Sequence, residues 1–455
     1  MLTMKTKNYP LLLLFTFISI LANAQSPVLE AYVQEGLKGN LQLQQEQLNF
    51  ERSAQNLQLA RALFLPQLSA NATYTLANGG RKIEFPVGDL LNPVYSTLNS
   101  LTGTTSFPQI QNVTQQFLPN NFHDTKLRVI QPLFNPDIYF NYKAQKELIS
   151  VQDAQKRAYE NELKYSIISA YYQYLQSEES LVIYGKTKEL LTELVKINQK
   201  LVANDKATKD VVLNASYELD KIDFQLAQTR KNNQVAKSYF NFLLNRDLSS
   251  PIDKDTTIRA ALSAQTELAS LTEMALDQRQ EIKQLQGALQ TNEQVIGLSK
   301  GSAYLPKINA VGDLGYQGFK YKFDAPQQYW LVQFSLSWDL FKGGEKKIKI
   351  QQAKLDHQVT ENKMAQLKKQ IELQVIQSYY DVEATEQSYL AAQGGIKNAE
   401  KSFQIIHAKY VEGQALMIEY LDAQNKLTTA RLAETIGAYE VLRSEAALQK
   451  TISNL

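Results

Sequence analysis

The chain has 455 residues, 44% of them hydrophobic and 21% charged, with no cysteine and only three histidines, His123, His357 and His407. Its 48 Lys and Arg nearly balance 46 Asp and Glu, a formal charge of +2, so there is no global basic field for nucleic acid and no acidic tail. The lack of cysteine excludes disulfides, thiolate metal sites, cysteine nucleophiles and a lipidated N-terminal cysteine, and three scattered histidines do not make a His-rich metal centre.

The first element is a secretory address. Lys5 and Lys7 precede an apolar run from Leu11 to Leu21, and Ala22-Asn23-Ala24 fits the small-x-small cleavage rule. Residues 1–24 read as a signal peptide cut before Gln25; a membrane anchor would need a longer run. Its removal takes away two lysines and no acid, leaving a mature chain of formal charge zero. Mean hydropathy is −0.33 and no later run is long enough for a helical membrane span. Export without cysteine suits a bacterial envelope protein that does not rely on disulfides.

Residues 25–245 form the first of two structural repeats, beginning with a helix. A strand is expected at about 66–76, where Leu68, Ala70, Ala72, Tyr74 and Leu76 alternate with Gln67, Ser69, Asn71, Thr73 and Thr75. Residues 78–123 contain Pro86, Pro93, Pro108 and Pro119 with several Asn, Gly and Thr, and read as a long loop. A second strand is expected at about 124–134, with Leu127, Val129 and Leu133 on the face opposite Lys126 and Arg128. No proline occurs between Pro136 and Pro251, and this Ala-, Gln-, Glu-, Lys- and Leu-rich stretch predicts a long helical hairpin over about 138–245. Leu190, Leu194, Ile197 and Leu201 give it a narrow coiled-coil seam. Residues 246–265, broken by Ser249-Ser250-Pro251, link the repeats as a strap.

Residues 266–455 repeat the plan: a helix, strands at about 306–319 and 328–341, and a hairpin over about 344–452 with Leu432, Ile436 and Tyr439 as its seam. Trp330, Val332, Phe334, Leu336, Trp338 and Leu340 share one face of the last strand. The repeat shows in the residues themselves. Ala170-Tyr171-Tyr172 matches Ser378-Tyr379-Tyr380 and Leu213-Asn214-Ala215 matches Leu421-Asp422-Ala423, both at an offset of 208. Leu65-Pro66-Gln67-Leu68 matches Leu305-Pro306-Lys307-Ile308 at 240, which localises an insertion to the first copy.

Four strands of about ten residues, each with an apolar and a polar face, suit a transmembrane barrel, with Tyr74, Tyr316, Trp330 and Trp338 as membrane-interface aromatics. A soluble sandwich also alternates, but would not set both tryptophans of the chain on short strands beside long helices. Four strands cannot close in lipid, so copies must join: two give eight strands and a filled interior, three give twelve and room for a pore. The expected class is therefore an α+β membrane protein with a long helical part. Nothing offers a nucleophile–base pair, a phosphate loop or clustered metal ligands, so no enzyme, cofactor or metal is expected.

The order of signal peptide, two strand–hairpin repeats, Leu-Pro before strands one and three, and Gly413 followed by Glu419-Tyr420-Leu421-Asp422-Ala423 resembles the TolC family of outer-membrane efflux proteins. The resemblance implies a homotrimer in the Gram-negative outer membrane: a 12-stranded β-barrel, four strands per chain, continued by a periplasmic α-helical barrel. It implies an exit duct for an inner-membrane pump joined by a periplasmic adaptor protein, with outer-membrane lipid around the barrel. The turns near Asn204 and Asp205, and near Val411 and Gly413, would be adaptor-docking tips. Tyr410 matches a gate residue of the family; the family's arginine is replaced by Ala415, and its acid by Val211 with Asp210 beside it. Glu419 and Asp422, three apart on one helix face, match an acidic ring at the periplasmic aperture, six carboxylates in three chains. The competing readings are a periplasmic coiled-coil scaffold or adaptor without a pore, and a type I protein secretion duct.

Overall fold

The computed structural model describes residues 26–255, 258, 260 and 266–455. The expected signal peptide and most of the second half of the strap lie outside them. In order, the elements are α1 (Pro27–Gly39), α2 (Leu41–Ala62), β1 (Gln67–Thr75), β2 (Lys82–Phe85), α3 (Val87–Thr102), β3 (Val113–Gln116), β4 (Phe122–Phe134), α4 (Pro136–Ala203), α5 (Lys209–Leu243), α6 (Leu268–Gln278), α7 (Gln280–Tyr304), β5 (Lys307–Phe319), β6 (Gln328–Ser337), α8 (Glu345–Val411) and α9 (Met417–Thr451). The two sequence offsets reappear in this list. Helices α5 and α9 have 35 residues each and start 208 apart, and β1 and β5 start 240 apart.

Helix α4 has 68 residues and α8 has 67. At 1.5 Å per residue each is roughly 100 Å long. Helices of that length cannot be covered by one local core, so compactness cuts across the repeats instead of between them. Among the described residues, one compact unit takes 26–45, 157–279 and 369–455; the other takes 46–156 and 280–368.

In the first unit an aromatic core anchors the helices. Tyr32 of α1, Tyr171 of α4 and Phe240 of α5 meet at centroid distances of 5.1–5.8 Å. The buried Asn40 makes the bend between α1 and α2: its Oδ1 accepts from Leu43 N at 3.0 Å and its Nδ2 donates to Leu243 O at 2.9 Å. The described start of the strap lies on this core, where Asp253 N donates to the Tyr32 hydroxyl at 2.8 Å and the Tyr171 hydroxyl donates to Asp253 O at 2.9 Å.

Burial raises the phenols of Tyr172 and Tyr174 from 10 to about 12, with Glu445 adding to the shift at Tyr172 and Glu178 at Tyr174. Burial, then the hydrogen bond to Glu179, raises Tyr439 further still. A phenol held protonated in the fold ionises first in the unfolded chain, so its contribution is complete below pH 10 and is lost as pH rises toward 12. For the more deeply buried Tyr172 this shift corresponds to about 3 kcal/mol, and solvent screening makes it smaller for Tyr174. Thermal melts followed by circular dichroism should therefore fall steeply between pH 10 and 12, and Tyr174→Phe should flatten that slope; a midpoint independent of pH there would contradict the buried placement.

The second unit carries the sheet. Its strands run β1-β4-β5-β6, every neighbour antiparallel. Glycines let α7 lie close on the start of α4: a Cβ at Gly297 would sit 2.4 Å from the Phe140 ring. Three features differ from the sequence reading. The last strand ends at Ser337 rather than near 341, because its partner β5 begins at Lys307, which pairs with Ser337. A bulge between Pro132 and Phe134 breaks the alternation, so Phe134, not Leu133, pairs onward with Ile308; Pro132 has no N–H to keep the ladder regular. The long loop of 78–123 holds a two-stranded β2–β3 sheet and the 16-residue helix α3, despite Pro93 within it.

Candidate functional site: the sheet faces and the hairpin tips

Strand register sorts side chains into two faces. On one face Leu68 pairs with Val129, Ala70 with Leu127, Leu127 with Leu314, Leu314 with Trp330, Ala310 with Phe334 and Ile308 with Leu336. Leu68, Leu127, Val129, Leu314, Trp330, Val332, Phe334 and Leu336 are all exposed in the single chain. The other face is polar. Arg128 forks onto Asp313, Nε and Nη2 each 2.8 Å from a carboxylate oxygen; Lys126 pairs with Asp124 at 2.5 Å, and the Tyr329 hydroxyl donates to Asp124 at 2.8 Å. Ser69, Asn71 and Thr73 extend this face onto β1.

Of the four expected interface aromatics, Tyr74, Tyr316 and Trp330 lie toward the loop end of the sheet. Trp338 lies one residue beyond β6 at the helix end. Tyr74, Trp330 and Trp338 are exposed. At the loop end Tyr321 and Phe323 close over the buried His123, with ring centroids 4.9 and 5.5 Å away, and the Tyr74 and Tyr316 rings join this cluster.

The turns between α4 and α5 and between α8 and α9 are the two tips. Both close with the same bonds, 208 residues apart. Lys206 N donates to Leu201 O at 2.9 Å, and Gln414 N donates to Lys409 O at 2.8 Å. Each turn has one left-handed residue, Asp205 (φ 57°) and Gly413 (φ 73°). Glycine takes that conformation freely and aspartate at modest cost. Asn204 caps its helix through Nδ2 to Lys200 O at 2.7 Å. Val411 is exposed at the second tip, and so are Leu416 and Ile418, two apolar side chains that the sequence reading passed over.

The expected Tyr410–Asp210 contact is not what the chain holds. Asp210 is exposed and accepts from the Thr208 hydroxyl. Tyr410 instead donates to Asn198 Oδ1 at 2.7 Å. Asn198 is fully buried, and its Nδ2 lies 3.4 Å from both Val211 O and Met417 Sδ. One amide thus touches α8, α5 and α9 from its place on α4. Around it pack Leu194, Ala215, Tyr420 and Leu421, with the Tyr410 and Tyr420 rings in tilted contact at a centroid distance of 5.0 Å. Burial pushes the phenols of Tyr410 and Tyr420 above their ordinary range. The buried line on α4 is Thr187, Leu191, Leu194 and Asn198, so the seam differs from the expected Leu190, Leu194, Ile197 and Leu201, of which Ile197 is exposed.

Glu419 and Asp422 both lie on the exposed side of α9. Neither is a free carboxylate. Glu419 accepts from Leu416 N at 2.8 Å, capping the helix start, and Asp422 pairs with Lys426 at 2.7 Å. Among the described residues no group of three His, Asp or Glu is arranged to hold a metal, and no helix is long and apolar enough to cross a membrane.

Comparison with known proteins agrees with this architecture. Residues 271–454, the second repeat, match the outer membrane efflux protein family. The outer membrane protein TolC of Escherichia coli (strain K12) is 21% identical over 473 aligned positions, covering 99% of this chain and 87% of TolC. The fold is similar to that of the Campylobacter jejuni CmeC outer membrane channel (TM-score 0.76, 15% identity, 94% of this chain and 86% of that one). It is also similar to the open state of the Neisseria gonorrhoeae MtrE outer membrane channel (TM-score 0.73, 18% identity, 94% and 89%). With the efflux-family match on its second repeat, similarity to TolC along nearly its whole length and the fold of these channels, the chain resembles the outer-membrane efflux proteins.

Proposed function

We propose that three copies of the chain close their sheets into one 12-stranded barrel in the outer membrane, and that the helical hairpins continue it as a duct to an inner-membrane pump. The observation that carries this is the sheet itself. It has four antiparallel strands, one face of exposed aliphatic and tryptophan side chains, a polar face laced with ion pairs, and open edges at β1 and β6. Lipid tolerates an apolar face but not unpaired strand edges, so β1 of one copy must meet β6 of the next. Twelve strands leave an aqueous lumen, onto which Arg128, Asp313, Lys126 and Asp124 face. A scaffold or adaptor without a pore has no use for such a sheet.

The exposed apolar stripe of α5, which includes Leu213, Tyr217, Phe224, Val235 and Phe242, supports packing of hairpins between copies. At the far end, the tips around Asn204, Asp205, Val411 and Gly413, with Leu416 and Ile418, offer backbone turns and apolar side chains to a periplasmic adaptor. Asn198 and Tyr410 hold the tip of each chain together, and Glu419 and Asp422 form a ring at the aperture.

Native mass spectrometry of the protein released from outer membranes in mild detergent tests the stoichiometry. Three mature chains are expected; a monomer or a dimer as the largest specific species would contradict the edge-to-edge closure.

A further inference from the structure

The insertion between β1 and β4 is an ordered unit with one face satisfied and one bare. Helix α3 is held to the returning segment by side-chain amides that imitate backbone pairing. Asn92 Nδ2 donates to Ile110 O and Asn92 Oδ1 accepts from Ile110 N, both at 2.9 Å. Asn99 does the same to Phe107, at 2.7 and 3.0 Å. Asp89 and Asn112 exchange a further pair of bonds, and Gln109 donates to Ser96 Oγ at 3.0 Å. Gly88 sits so close to this segment that a Cβ there would lie 2.5 Å from Ile110 O. Gly103, left-handed at φ 63°, ends the helix.

Residues 89, 92, 96 and 99 therefore make one stripe, at 3-4-3 spacing. With roughly 100° between successive residues, Leu90, Val94 and Leu101 fall on the opposite side. All three are exposed, and Leu91 beside them is exposed as well. A solvated loop has no reason to fold a helix and leave its aliphatic stripe in water.

We infer that this stripe packs against the same stripe of the neighbouring copies, so that three α3 helices form a cap over the extracellular mouth of the barrel. This rests on the trimeric reading above. Two observations single out a second copy as the occupant. The insertion leaves the sheet from β1, an edge strand and so the place where the next copy must join. Residues 78–122 also carry only Arg81, Lys82, Glu84 and Asp89 as charged groups, net zero, and α3 itself has one acid and no base. No repulsion opposes three such helices meeting. A helix lying on anionic lipid headgroups would instead carry Lys or Arg along its polar face.

The test uses the full chain in outer-membrane vesicles, where the absence of native cysteine makes one introduced thiol unambiguous. Val94→Cys and Leu101→Cys, each an exposed position that tolerates change, are treated with a short bis-maleimide and run beside Ser96→Cys from the clipped stripe. An amine-reactive cross-linker on the same samples reports the trimer. The expected result is a shift of most Val94→Cys and Leu101→Cys chains to the dimer position, while Ser96→Cys stays monomeric. If the amine reagent gives trimers but both stripe variants stay monomeric, or join a different protein, the cap is overturned and the duct stands. If the amine reagent gives no trimer, the trimeric reading fails and the cap falls with it.

Discussion

Replacing Asn198 by leucine is expected to lower the thermal midpoint and to raise single-channel conductance. The substitution leaves the half-buried Tyr410 hydroxyl without its acceptor and the Val211 carbonyl without its donor. Stranding one such group costs about 1–3 kcal/mol. Because Asn198 is the point where α4 meets α5, α8 and α9, the loss falls on the tip and not on the aromatic core around Tyr171. Removing both partners of a hydrogen bond is close to neutral, so Asn198→Leu with Tyr410→Phe should recover much of the midpoint. A double-mutant cycle should show coupling of about 1–2 kcal/mol between the two positions. Conductance should stay high in the double variant, because the bond that ties the tip is still absent. Additive effects with unchanged conductance would mean that the Asn198–Tyr410 bond fills space without holding the aperture.

The second large effect is expected at the proposed acidic ring, and the ion pair on α9 changes its sign. In three chains Glu419 and Asp422 bring six carboxylates, but each Asp422 is matched by Lys426. The net ring charge is then half of what the acids alone suggest. Glu419→Gln keeps an acceptor for the Leu416 N–H, so the helix start survives. Glu419→Gln with Asp422→Asn leaves three lysines uncompensated. At low salt the channel should change from cation-preferring to anion-preferring, and the change should shrink as salt screens the ring. Adding Lys426→Gln should bring selectivity near neutral. No counterpart exists in the first repeat, where Val211 and Asn214 stand at the matching positions. Unchanged selectivity in both variants would put these side chains on the outer face of the helical barrel.

Much of the architecture was legible because it rests on periodicity. Alternation along β1 and β6, the proline-free stretches behind α4 and α8, and the offsets of 208 and 240 are one-dimensional signals that survive into the elements. What escaped depends on polar groups used as core. Thr187 and Asn198 line the buried seam of α4, yet a binary pattern reads them as surface and shifts the seam onto Leu190 and Ile197. Asn198 carried little local signal, since two of its three partners, Tyr410 and Met417, lie more than 200 residues away and the third, Val211, meets it through its backbone carbonyl. Helix α3 was hidden by prolines, and it is held by Asn92 and Asn99 clipping the segment that follows it, whose Asn112 bonds back to Asp89. Glu419 and Asp422 were singled out by the family resemblance together with their spacing, but their offsets, a helix cap and Lys426, belong to side-chain geometry.

A continuous water path through three copies is proposed to close at the tip through the Asn198–Tyr410 bond of each chain. Planar-bilayer recording of the purified protein tests it most directly. Wild type should insert as stable, low-conductance steps, and Asn198→Leu/Tyr410→Phe should give discrete steps several-fold larger at the same trimer mass. A trimer that inserts but conducts in neither form would contradict the duct.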